Sequence, residues 1–237
     1  MVRDSHRKRL INRRPRGCRL HTKVKVKTAR GRKISSTLWL QRQLNDPYVQ
    51  LAKAEGYASR SAYKLLEIDD RYNLFHSGQR IIDLGSAPGG WCQIAVERIS
   101  SHSGDIRVVG IDNLDMNPVA GATILKKDFL DIDAPELLLE SLGGHQPDIV
   151  MSDMASKTIG HRTTDQIRTI ALVESALEFA VEVLVRGGHF LSKTFQGSID
   201  NKILSLMKTN FKSFHHVKPP ASRDQSCEIY LLAKGRR

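Results

Sequence analysis

The stretch 81–91, IIDLGSAPGGW, limits the possible folds more than any other part of the chain. Ile81, Ile82 and Leu84 read as a buried strand, Gly85, Gly89 and Gly90 break it around Pro88, and Ile94 and Ala95 then share one side of a helix beginning near Gly90. A strand that turns through glycines into a helix is the repeating unit of an open parallel sheet. Glycines at such a turn let a ligand approach the backbone, and the free N–H groups of the helix start favour a carboxylate or phosphate, so a nucleotide-like ligand is expected. The spacing is G-x-x-x-G-G, with Ala87 where a dinucleotide fingerprint has its second glycine, and this argues against hydride transfer.

The rest of the chain extends that unit. Apolar runs at 80–84, 106–111, 123–125, 148–152 and 189–193 alternate with amphipathic stretches, as in a parallel sheet with crossover helices. The clearest helix precedes the fifth run: Val173, Ala176, Leu177, Ala180, Val181 and Leu184 share one face, and Gly187 and Gly188 end it. Two further runs, 211–217 and 228–233, read as a closing antiparallel hairpin. Before the sheet, helices are expected near 47–54 and over 61–72, the second capped by Ser61.

Charge divides the chain differently. Residues 1–33 carry 14 Lys and Arg against one acid, whereas the whole chain has 37 against 25, so the net +12 resides in this tail. Residues 1–34 can bury too little apolar surface to order themselves alone; a polyanion such as RNA is their expected partner, with a solubilising role as the alternative. Residues 35–237 form one domain. Cys18, Cys92 and Cys227 fall at no metal or disulfide spacing, so no metal is expected and a reducing, cytoplasmic setting is. No apolar run reaches the roughly 20 residues of a membrane span. The Arg-rich start also fits a mitochondrial transit peptide, although few of its apolar residues fall at helical spacing.

Parallel sheets bind ligands beyond the carboxyl ends of their strands. Asp112 ends the second run, where an acid grips ribose hydroxyls, and Asp128 follows the third, within reach of an adenine amino group. Asp153 follows the fourth run and Lys193 ends the fifth. Burial of the Lys193 amine, or a second cation such as Lys64, would favour a neutral base. Taken singly, Lys64 reads as a solvated helix face, Asp153 as a loop acid, Glu228 as a charge on an edge strand and Trp91 as core packing.

Together these residues resemble the Lys-Asp-Lys-Glu tetrad of the FtsJ-type ribosomal RNA 2′-O-methyltransferases. The matching stretches are SRSAYKL at 59–65, DLGSAPGGW at 83–91, MSDMA at 151–155, KTFQG at 193–197 and SCEIYLLA at 226–233. The resemblance implies a Rossmann-like S-adenosylmethionine-dependent α/β fold with a seven-stranded, mostly parallel sheet, helices on both faces and a C-terminal antiparallel hairpin. It implies that Gly85, Gly89, Trp91, Asp112, Asp128 and Asp153 bind S-adenosylmethionine. It makes Lys193 the base for a ribose 2′-hydroxyl that Lys64 and Glu228 position while tuning Lys193, counts Asp153 as the fourth catalytic residue, and makes the substrate a uridine in large-subunit ribosomal RNA, modified late in assembly by a monomer. Other readings are transfer RNA or cap ribose as substrate, base methylation, and a non-catalytic RNA-binding assembly factor. Base methylation fits poorly, since SDMA stands where exocyclic-amine enzymes usually carry two prolines and an aromatic.

Overall fold

A computed structural model describes residues 24–99, 106–156, 160, 162–197 and 200–237. The strands are β1 (Ile81–Leu84), β2 (Val108–Asp112), β3 (Thr123–Lys126), β4 (Ile149–Ser152), β5 (His189–Phe195), β6 (Phe211–Val217) and β7 (Glu228–Arg236). They form one seven-stranded sheet in the order β3-β2-β1-β4-β5-β7-β6. The first five are parallel, and β7 runs antiparallel between β5 and β6. Glu228 therefore opens an interior strand; the expectation of an edge strand fails because β6 lies outside β7.

The helices are α1 (Ile34–Leu44), α2 (Pro47–Glu55), α3 (Ser61–Tyr72), α4 (Gly90–Ile99), α5 (Ala134–Ser141), α6 (Arg162–Val183) and α7 (Asn201–Asn210). Successive strand residues point to opposite faces, so Ile81 joins a core with Leu65, Ile68, Trp91 and Ile94 from α3 and α4. Ile82 joins the opposite core with Leu138, Leu177 and Met207 from α5, α6 and α7. All four residues of β1 are buried, as a central strand covered on both faces requires.

Two helices depart from the sequence reading. α1 was not foreseen because none of its residues is buried, so its apolar side chains carry no core-facing pattern. α7 also went unforeseen, although Asp200 caps it by accepting from the Ile203 N–H at 2.9 Å. Ser61 is not a cap: Arg60 holds that position without a side-chain bond, and Ser61 Oγ lies 2.7 Å from Ser59 Oγ. The effective cap in this region is Asp46, which accepts from the Tyr48 N–H at 3.0 Å with Pro47 opening α2.

Residues 1–23 of the basic tail lie outside the described residues. At Val24 the chain is tied to the end of α1, its N–H and C=O both bonded to the Asn45 side chain, at 2.8 and 2.9 Å. Among the described residues no helix is long and apolar enough to cross a membrane.

Candidate active site

Strand register brings the charged residues together. Leu84 of β1 pairs with Ile111 on one side and Ser152 on the other, so Gly85, Asp112 and Asp153, each the next residue, emerge level at the carboxyl edge. Ser152 pairs with Ser192, which sets Lys193 beside Asp153. Lys193 pairs in turn with Tyr230, and Phe195 with Glu228. Lys193 thus lies inside β5 and does not end it.

Gly85, Asp112, Asp128, Asp153 and Lys193 line a cavity of about 770 Å³, together with apolar groups that include Phe129 and Met154. Gly85 has φ +76°, and a Cβ there would stand 2.7 Å from the Met154 Cγ and 2.9 Å from its backbone, so only glycine fits. Asp112 braces the same turn, accepting from the Ala87 N–H at 2.9 Å and the Leu114 N–H at 2.8 Å. Asp128 accepts from the Leu130 N–H at 3.0 Å.

Gly89 and Trp91 stand apart from this lining. Gly89, at φ +111°, leaves room for Met116 and Val119, each of which a Cβ would meet at 2.9 Å. Trp91 is buried, donates its indole N–H to Ser61 O at 3.0 Å and packs beside Tyr230. It fastens α4 to the start of α3, the helix that carries Lys64.

The four tetrad residues form two ion pairs. Lys193 Nζ lies 3.1 Å from Asp153 Oδ1, and Lys64 Nζ lies 2.9 Å from Glu228 Oε2. Tyr230 joins them: its hydroxyl donates to Asp153 Oδ1 at 3.2 Å, and Lys64 Nζ stands 5.7 Å from its ring centroid. Sequence reasoning did not single out Tyr230. The available signal was strand alternation, since position 230 faces the same way as 228. Burial opposes charge on Glu228, but Lys64, through charge and hydrogen bond, and then Lys193 hold its carboxyl below the ordinary value. Burial, then Asp153 and Glu228, raise the Tyr230 hydroxyl well above its ordinary value, which keeps it a donor.

A second cavity, of about 850 Å³, opens on the other pair and includes Arg42, Arg60, Lys64, Arg223 and Glu228 in its wall. It shares no lining residue with the first. Its framework is set by buried Asp46, which binds Arg60 from the start of α3 and accepts from Arg223, Nη2 at 2.9 Å and Nε at 3.1 Å, in the loop before β7. Glu67 strengthens that junction, accepting from the Ala221 N–H at 2.6 Å and the Tyr48 hydroxyl at 3.1 Å. One carboxylate thereby sets both the helix that bears Lys64 and the loop that leads to Glu228.

Beneath the glycine turn lies Asp83, fully buried and accepting from the Cys92 thiol at 3.1 Å. Burial raises its pKa to about 7 against the lowering effect of the thiol, and Asp153 and Asp112 add to the rise. His189 accepts from the Gly235 N–H at 3.2 Å and braces the sheet away from both cavities. Among the described residues no group of three or more His, Cys, Asp or Glu could hold a metal ion.

This sheet order, with a glycine turn after β1, an acid at the end of β2 and acids after β3 and β4, defines a Rossmann-like methyltransferase fold. A family model described as FtsJ-like methyltransferase matches residues 57–236, and the chain belongs to that family. It is 59% identical over 212 residues to "Ribosomal RNA large subunit methyltransferase E" of Mesorhizobium japonicum, covering 90% of this chain and 80% of that one. The protein of the same name in Brucella ovis is 56% identical over 215 residues, 91% of this chain and 89% of the relative. Among solved structures, a ribosomal RNA methyltransferase from Plasmodium falciparum superposes with TM-score 0.65 at 31% identity, over 76% of this chain and 98% of that one.

Proposed function

We propose that this protein transfers a methyl group from S-adenosylmethionine to the 2′-hydroxyl of a ribose, a uridine, in large-subunit ribosomal RNA late in subunit assembly. The observation that carries the reading is the tetrad at the boundary of two cavities. Asp153 and Lys193 border one that carries Asp112 and Asp128 beside apolar groups, and Lys64 and Glu228 border one rimmed by arginines. The names of the relatives support a ribosomal RNA substrate.

The first cavity suits the cofactor. Gly85 removes a side chain where a ligand would press on the turn, Asp112 and Asp128 offer carboxylates to hydroxyl and amino groups, and Asp153 sits beside the reacting position. Gly89 and Trp91 serve it indirectly by fixing the turn and the helix behind it. When bound, S-adenosylmethionine supplies a methyl group already activated as a sulfonium. The protein's task is then to hold the ribose oxygen in line and remove its proton; correct placement alone can supply several kcal/mol, up to about 10. Lys193, as the neutral amine, takes that proton and becomes the ammonium that Asp153 holds, and Lys64 with Glu228 positions the ribose.

The domain is assigned to 35–237 and the RNA-contacting tail to 1–34, with the chain acting as a monomer in the cytoplasm. The test is to map ribose methylation on large-subunit RNA from cells with and without the protein, and to assay particles, free ribosomal RNA and transfer RNA in vitro. One 2′-O-methyluridine that disappears and is restored on particles is the expected result. Methylation of transfer RNA alone, or of a base, would overturn the assignment.

A further inference from the structure

Helix α1 carries a surface that neither the fold nor the tetrad uses. Trp39 is 53% exposed, Leu38 next to it in the chain is 52% exposed, and Ile34, one turn before Leu38, is 78% exposed. Three large apolar side chains together on one short helix differ from the scattered exposed leucine of any protein surface. The helix is nevertheless held in place: Gln43 accepts from Arg223 at 3.2 Å, and Asn45 grips Val24.

Charge indicates what this surface meets. Residues 24–45 contain Lys25, Lys27, Arg30, Arg32, Lys33 and Arg42 and no acid. Such a surface repels a second copy of itself and attracts a polyanion. Position makes the same argument: Arg42 lines the cavity of Lys64 and Glu228 and also a neighbouring one of about 530 Å³ shared with Leu38 and Gln225. Leu38 and Arg42, one turn apart, thus carry the helix surface into the cleft assigned to the ribose, and Trp39 stands three positions before Arg42, a neighbour on the helix surface.

We propose that the exposed face of α1 is a docking surface for an unpaired stretch of the RNA substrate, with a base stacked on Trp39 and a neighbouring phosphate held by Arg42. This rests on the reading of RNA as substrate and adds how RNA outside the target nucleotide is held. An indole presents a flat face to any base, so the contact supplies affinity without naming a sequence.

Full-length protein is titrated with a short unpaired oligoribonucleotide and with large-subunit particles while tryptophan emission and its quenching by acrylamide are followed. Trp91 is only 2% exposed, so the accessible signal belongs to Trp39. RNA should quench that signal and shield it, and Trp39→Ala should weaken RNA binding about tenfold while Trp39→Phe retains most of it. Cofactor affinity and melting temperature should be unchanged in both variants. Wild-type affinity in Trp39→Ala, in a protein that still methylates RNA, overturns the docking surface and leaves the activity standing; a wild-type chain that binds no RNA overturns both. Two other results also overturn it: a dimer that Trp39→Ala dissociates, or Trp39 becoming more accessible without RNA when residues 1–23 are removed.

Discussion

Lys64 and Glu228, 164 residues apart in the chain, meet at 2.9 Å and so tie the helix before the sheet to the first residue of its last-made strand. The pair keeps Glu228 charged although it is partly buried. A carboxyl held below its ordinary value contributes stability above that value, about 4.5, and loses it as pH falls through the folded value. Lys64→Ala removes the contribution, so the melting temperatures of wild type and variant should differ at neutral pH and converge in acid. A constant gap across that range would show that the pair does not hold Glu228 ionised.

Lys193 is assigned the proton of the ribose hydroxyl. Lys193→Ala should lose turnover by roughly 10²–10⁴-fold while calorimetry shows cofactor binding intact. Lys193→Arg keeps the positive charge but cannot give up a proton at working pH. It should be as inactive as the alanine variant; substantial recovery by arginine would make the residue an electrostatic support and not a base.

Gly85 leaves no room for a side chain. Gly85→Ala sets a Cβ against the Met154 backbone at 2.9 Å in a backbone conformation that alanine rarely adopts. A loss of about 1–3 kcal/mol in stability is expected, with cofactor affinity falling further than RNA affinity. Thermal melts and separate binding titrations for cofactor and RNA measure the two effects, and equal losses in both would remove the turn from the cofactor site.

Asp83 makes the opposite pH prediction to Glu228. With its pKa raised by burial to about 7, it keeps its proton in the folded protein where the unfolded chain has lost it. The folded state therefore loses stability as pH climbs from the ordinary 3.8 towards 7, and the penalty is constant above that. Asp83→Asn, which has no charge to bury, should gain on wild type between about pH 4 and about pH 7. Parallel melting curves for the two proteins over that range would remove Asp83 as the titrating group.

The parts of this fold most legible in the sequence are those whose side chains meet the core. β1 and β4 are short apolar runs because both faces are covered, and α6 shows its pattern because Val173, Leu177 and Ala180 face one sheet. α1 was illegible for the same physical reason reversed, since its apolar groups face outward. In the site, Asp112 and Asp153 could be placed because strand ends converge at one edge, whereas Lys193, read as a strand end, lies inside β5 because the strand continues to Phe195 against β7. The clamp of Asp46 on Arg60 and Arg223 could not, since partners 14 and 177 residues distant leave no periodic trace. Taken alone Trp91 reads as packing, while the family resemblance assigns it to the cofactor; in the fold its indole holds the start of α3, a contact 30 residues distant that leaves no trace in the sequence.

The antiparallel insertion of β7 also sets a time. Chains are made from the N-terminus and tend to fold in that order, and the residues that line the first cavity all precede Glu228. A growing chain can complete the turn, its acids and Lys193 and still lack the partner of Lys64. If the tetrad is the working centre, the protein stays silent during its own translation until β7 has emerged and slipped between its neighbours.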